Sequence, residues 1–121
     1  MPLTSTIRIA VTSDEAGVTD IQWEADDAPE AGPQPAGSMI LALWDAERRN
    51  ALRIDLWTRS MTVDDMNDFV FQTLLSLADT YRAATNDEAL MADIKIFARE
   101  FAEKASAAEK ASAAEQRRQD G

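Results

Sequence analysis

The hydrophobic period of this chain changes once, near residue 61, and the change divides it into a strand-forming half and a helix-forming half. In "TSTIRIAVTS", residues 4–13, Ile7, Ile9 and Val11 fall on one side and Arg8, Ala10 and Thr12 on the other. Alternation of this kind, rich in β-branched residues, marks a strand with one face buried. "SDEAG" supplies turn formers, with Gly17 free to take a positive φ. "VTDIQWEA" resumes the alternation through Ile21 and Trp23, so a β-hairpin is predicted over about residues 4–25. Residues 26–38, "DDAPEAGPQPAGS", hold three prolines and two glycines in thirteen positions and read as a loop.

The segment "MILALWDAERRNALRIDLWT", residues 39–58, admits two readings. As a hairpin, "MILALW" and "ALRIDLW" are strands around the turn "DAERRN". The second strand then points Leu52, Ile54 and Leu56 inward and Arg53, Asp55 and Trp57 outward. The first is apolar on both sides, with Met39, Leu41 and Leu43 on one and Ile40, Ala42 and Trp44 on the other. As a helix over about residues 36–49, Ile40, Leu43, Trp44 and Glu47 also fit a 3.6 period, and a six-residue apolar run cannot decide by periodicity alone. The hairpin is preferred.

Beyond residue 61 the helical signal is plain. Thr62 with Asp65 forms a capping-box pattern, and Asp64 and Asp65 sit where the helix dipole favours negative charge. Met66, Phe69, Val70, Thr73, Leu74, Leu77 and Tyr81 trace one apolar face. "ATND" interrupts the helix, with Asn86 as a candidate N-cap, and Leu90, Met91, Ile94, Phe97, Ala98 and Phe101 line a second helix. The predicted fold class is therefore α+β: an antiparallel β-sheet of two hairpins, packed on one face by two C-terminal helices, in a single domain over residues 1–104. The tail, residues 105–121, completes the repeat "EKASAA" that runs twice from Glu103. It is helix-competent but has no large apolar anchor, which predicts a helical or frayed extension.

Composition narrows the chemistry. The chain has no cysteine and no histidine, which removes thiolate nucleophiles, disulfides, the usual general base and the usual zinc ligand. Carboxylate pairs such as Asp64 with Asp68, or Asp26 with Asp27, are the one catalytic arrangement left, and nothing beside them signals the shielded pocket that acid–base work needs. No spaced calcium-loop pattern and no glycine-rich phosphate loop occurs. No catalytic residue, cofactor or metal is assigned, and the expected protein is not an enzyme. A net charge of −10, from 22 acids against 12 bases, opposes nucleic-acid binding. The N-terminal residues lack a basic start and an apolar run, and no segment reaches the roughly 18 apolar residues of a membrane span. No membrane insertion and a cytoplasmic location are expected.

What remains is binding. In the hairpin reading Ile7, Ile9, Leu52, Ile54 and Leu56 face the helices, while the opposite sheet face carries Ile40, Ala42, Trp44 and Trp57 beside Arg53 and Asp55. Trp and Arg are enriched at the centres of interfaces. Trp44, Arg53, Asp55 and Trp57 are the candidate partner-binding residues, for another protein or a second copy of the chain. Coverage of both tryptophans by loop 26–38 or by the tail is the competing reading. A small-ligand pocket between sheet and helices, beside Phe69 and Tyr81, is the alternative function.

Residues 43–85 resemble the gliding motility protein GldC family of Bacteroidetes-type bacteria. The resemblance is carried by "LWD", "LRIDLWT", "VDDM" and "FVFQTLLSLADTYRAAT", then by the spaced phenylalanines of "IFAREFAEK"; with "IRIAVTSDEAGVTDIQWEADD" it covers about residues 5–104. It implies a small cytoplasmic accessory protein of gliding motility and its type IX secretion machinery, with no catalytic residue to carry over. The "EKASAA" tail has no counterpart expected in that family.

Overall fold

The structure, a computed structural model, describes residues 2–120. Five strands precede two helices: β1 (Ile7–Asp14), β2 (Gly17–Ala25), β3 (Gln34–Ala36), β4 (Ser38–Asp45), β5 (Asn50–Trp57), α1 (Val63–Thr85) and α2 (Glu88–Asp120). This is an α+β fold. Two compact units divide it, Met1–Met61 and Thr62–Gly121.

In the first unit, β1, β2 and β3 form one antiparallel sheet in that order, and β4 and β5 form another. The β1–β2 register pairs Ile7, Ile9 and Val11 with Ala25, Trp23 and Ile21, so the alternation read from the sequence becomes one apolar face. Ile21 is its closed centre, 1% exposed, whereas Ile7 is 71% exposed. At the turn, the Asp14 side chain accepts from the Ala16 N–H and pairs with Arg59 at 2.9 Å, while Gly17 takes the positive φ expected of it. β3 was not foreseen: it lies inside the proline-rich stretch read as loop, and Gln34, Pro35 and Ala36 pair with Trp23, Gln22 and Ile21. Proline is tolerated on such a short edge strand because no further strand needs its missing N–H.

Residues 38–45 pair one for one with residues 57–50, which excludes the helix considered over residues 36–49. The two sheets meet at a knot around Thr58, which is buried. Its N–H donates to the Gly37 carbonyl at 2.9 Å and its own carbonyl accepts from Met61. A Cβ at Gly37 would stand 2.9 Å from the Met61 sulfur, so a larger residue here would displace that side chain.

The second unit is an antiparallel helical hairpin. The Thr62 hydroxyl accepts from the Asp65 N–H at 3.0 Å and the Asp65 carboxylate accepts from the Thr62 N–H at 3.1 Å, closing the capping box. Asn86 is not the N-cap of the second helix. It ends α1 in the left-handed region, at φ 62°, with its N–H bonded to Arg82, and Asp87 caps α2 by accepting from the Leu90 N–H. Asparagine tolerates that conformation better than other side chains, which suits it to ending a helix. α2 runs without a break through residue 104 and both "EKASAA" repeats to Asp120.

The seam between the helices closes on Ala98 of the expected second face and on Ala78, one position on from Leu77 of the first. Asn67 bonds Glu109 at 3.1 Å and Asp79 pairs with Lys95 at 2.9 Å, and between these levels Ala78 and Ala98 are fully buried. Leu77, Leu90 and Phe97, which periodicity assigns to the apolar faces, stay exposed. Small side chains win the seam because they let helix axes approach closely.

Candidate functional site

β4 and β5 form a hairpin with two different faces. Directly opposed residues of an antiparallel ladder share a face. Met39 with Leu56, Leu41 with Ile54, and Leu43 with Leu52 make one side, wholly apolar. Ser38 with Trp57, Ile40 with Asp55, Ala42 with Arg53, and Trp44 with Ala51 make the other. The four candidate residues, Trp44, Arg53, Asp55 and Trp57, therefore lie on one face of one strand pair. Trp44 and Trp57 are 60% and 57% exposed, so loop 26–38 leaves most of each indole open.

The residues are arranged as a row rather than a cluster. Arg53 and Asp55 pair at 3.1 Å in the middle of β5. Trp57 stands at the base of the hairpin and Trp44 beside its turn, at the level of Ala51, which places their levels about 20 Å apart at the usual strand rise. The turn supports the upper end: Asp45 accepts from the Glu47 and Arg48 N–H groups, and the Arg49 guanidinium lies 5.7 Å from the centre of the Trp44 ring. That is within cation–π range. A two-stranded ribbon is marginal by itself in water, and this one exposes Leu43, Leu52 and Ile54 on one side and Ile40, Trp44 and Trp57 on the other.

Residues 18–107 match the family described as gliding motility-associated protein GldC-like. The chain belongs to the GldC-like family. The match takes in β2 to β5, all of α1 and α2 as far as Ala107, so it contains the whole candidate face and leaves most of the repeat tail outside. The family is associated with gliding motility. No curated protein and no solved structure matches the chain.

Other features of this GldC-like chain place few chemical groups together. Among the described residues no helix is long and apolar enough to cross a membrane, and no three Asp or Glu side chains stand close enough to share a metal ion. Arg8 bonds Glu24 at 3.0 Å across β1 and β2, and this hydrogen bond with its attached charge holds the guanidinium pKa above its ordinary value. The third tryptophan, Trp23, is half-buried and lines an open hollow of about 440 Å³ with Arg8, Ile9, Gln22 and Glu24. A second hollow of about 470 Å³ lies between the helices, lined by Val63, Asn67, Phe97, Phe101 and Lys104.

Two residues of the aromatic face carry no signal in isolation. Arg49 reads as a turn residue, and only its positive φ of 55° brings it back over Trp44. Ala51 reads as filler, and only the register shows it level with Trp44.

Proposed function

We propose that this GldC-like chain is a non-enzymatic accessory protein of gliding motility and its secretion machinery, working in the cytoplasm by protein–protein contact through the Trp44–Trp57 face of β4 and β5. The observation that carries this reading is the exposure of both tryptophans on a single strand-pair face, with a charged pair between them. Large apolar groups in that setting are what partner proteins cover. The absence of histidine and cysteine from the sequence supports a binding role over catalysis. The test is Trp57→Ala, with native far-UV circular dichroism as the folding control. Sizing and pull-downs are expected to show association lost; association unchanged in the folded variant would remove the face from the function.

A further inference from the structure

Resting on the contact reading above, we infer that a second copy of the chain pairs along the edge of this face, with β5 antiparallel to β5 of the second copy about a two-fold axis at Ile54. The pairing turns two hairpins into one continuous four-stranded sheet.

The backbone permits one family of registers. β4 and β5 pair residue for residue with no shift, and among the described residues the outer edge of β5 has no strand. At the end of this ladder the Thr58 N–H donates to Gly37. Bonding alternates along an antiparallel strand, so even-numbered residues of β5 turn their main-chain groups to β4. Ala51, Arg53, Asp55 and Trp57 turn theirs to the free edge. A symmetric antiparallel partner must then place odd residues on odd residues.

Charge selects the register. Centred on Ile54, the pairing sets Arg53 opposite the second copy's Asp55, and Asp55 opposite its Arg53, on the same face. Opposite charges directly across strands stabilise, and like charges disfavour, such a pair. A slide to a centre at Leu52 leaves Arg53 facing an alanine, and a slide to Leu56 leaves Asp55 facing a tryptophan.

Size agrees with charge. In the Ile54 register Ala51 faces the second copy's Trp57, so one row across the sheet reads Trp44, Ala51, Trp57. The small side chain leaves room for the two indoles to meet above it, and the two-fold axis repeats the arrangement at the other end. On the reverse face Leu52 meets Leu56 and Ile54 meets itself, extending the rows begun by Leu43 and Leu41. Both tryptophans are then used, which a single hairpin does not explain.

Of the other two long edges, β4 carries no charge from Ser38 to Trp44 that could select a register, and β1 is blunted. β1 slips register between Thr12 and Ser13, and irregular pairing blunts an edge. Its charges are also engaged within the unit, Arg8 with Glu24 and Asp26, and Asp14 with Arg59. β5 carries no bulge, no proline and no lysine.

The experiment is the mass of the full chain by light scattering over a concentration series, for wild type, Arg53→Asp, Asp55→Arg and their equimolar mixture. Wild type is expected to be a dimer at low and at molar salt, since salt screens the repulsion between two chains of net charge −10. Each single variant places like charges across the axis and is expected to weaken self-association by roughly tenfold or more. Mixing them restores opposite charges in every pair and is expected to restore the dimer, which the ion pair within one strand cannot do. Should either variant fail to fold, Ile54→Cys supplies the second reading. The chain has no cysteine, the axis brings two Cα atoms to about 4.5 Å, and a covalent dimer is expected under mild oxidation from Ile54→Cys but not from Leu52→Cys. A monomeric wild type overturns the pairing and leaves the face to a different protein. A dimer lost in Trp57→Ala but unmoved by the charge variants overturns the register alone. A dimer unmoved by all of them lies elsewhere on the chain and overturns the pairing, while the pull-down with Trp57→Ala still decides the contact reading.

Discussion

The strand hairpin of β4 and β5 and the helical hairpin of α1 and α2 are both antiparallel pairs, and they differ in what they close. In the helical pair the fully closed positions are Ala78 and Ala98, while Leu77 and Phe97 next to them are open. In the strand pair the largest side chains are open, and Ala51 lies exposed at the level of Trp44. An alanine seam stabilises by allowing backbones to approach and gives each residue little apolar area. A tryptophan row contributes little while wet and up to about 200 Å² per indole once covered. Both pairs thus leave large apolar side chains open, and the helical pair alone also closes a seam of small ones.

The largest effect expected from breaking this contrast is at the seam. Ala98→Leu forces three more carbons into a closed position and should cost about 1–3 kcal/mol through overpacking. Trp57→Ala in the same chain should cost the monomer less, because its side chain is already more than half wet. The two units can be read separately: all three tryptophans precede residue 62, so their fluorescence follows the strands while the helical circular-dichroism signal follows α1 and α2. Urea titration should show the helical midpoint falling in Ala98→Leu. Equal loss in the two variants would mean that size and closure are not divided as described.

A smaller effect lies at the start of α1. Thr62→Ala removes the hydroxyl that accepts from Asp65 and should cost about 1 kcal/mol. It should also change the response to acid. The Asp65 carboxyl is held below its ordinary pKa, first by the Thr62 backbone N–H and then by the Thr62 side chain. A carboxyl whose folded pKa is depressed contributes stability above its unfolded pKa and loses it as pH falls through the folded value. The helical signal of wild type should therefore weaken with acid below the ordinary carboxylate range, and Thr62→Ala should flatten part of that dependence. The strand pair carries no such cap, so tryptophan fluorescence should not follow the change.

Most of this architecture was legible before any coordinates. Period-two alternation located β1, β2 and β5, and capping chemistry located the start of α1 to the residue. β4 was ambiguous because Met39–Trp44 is apolar at every position, and only pairing with β5 resolves it. β3 was hidden because Pro35 and its neighbours signal a loop, while the bonding that makes them a strand comes from β2. Ala98 was read on the apolar face of the second helix, but Ala78 was missed on the first because hydrophobic periodicity weights large side chains and Ala78 scores poorly against Leu77. Asn86 was read as opening a helix when it closes one, since the same short polar side chain serves both ends. The four candidate residues fall on one face by the β4–β5 register, but the row with indoles at its two ends follows from that register, which no single strand encodes.

The finest test of the contrast is Arg49, where the strand pair spends strain on an exposed aromatic. A non-glycine residue in the left-handed region costs about 1–2 kcal/mol, and Arg49 takes it at φ 55° while reaching over Trp44. Arg49→Gly relieves that strain but frees the unfolded chain by about 0.4–1 kcal/mol and gives up a cation–π contact of about 0.5–1 kcal/mol. The terms nearly cancel at mid-range, so stability by urea titration should move by no more than about 1 kcal/mol in either direction. Trp44 emission should nevertheless change, because the guanidinium no longer lies against the ring. A gain well beyond that range would mean that Arg49 contributes nothing through Trp44, and that the turn carries strain without return in the isolated chain. The upper end of the row would then be held by the Asp45 turn alone.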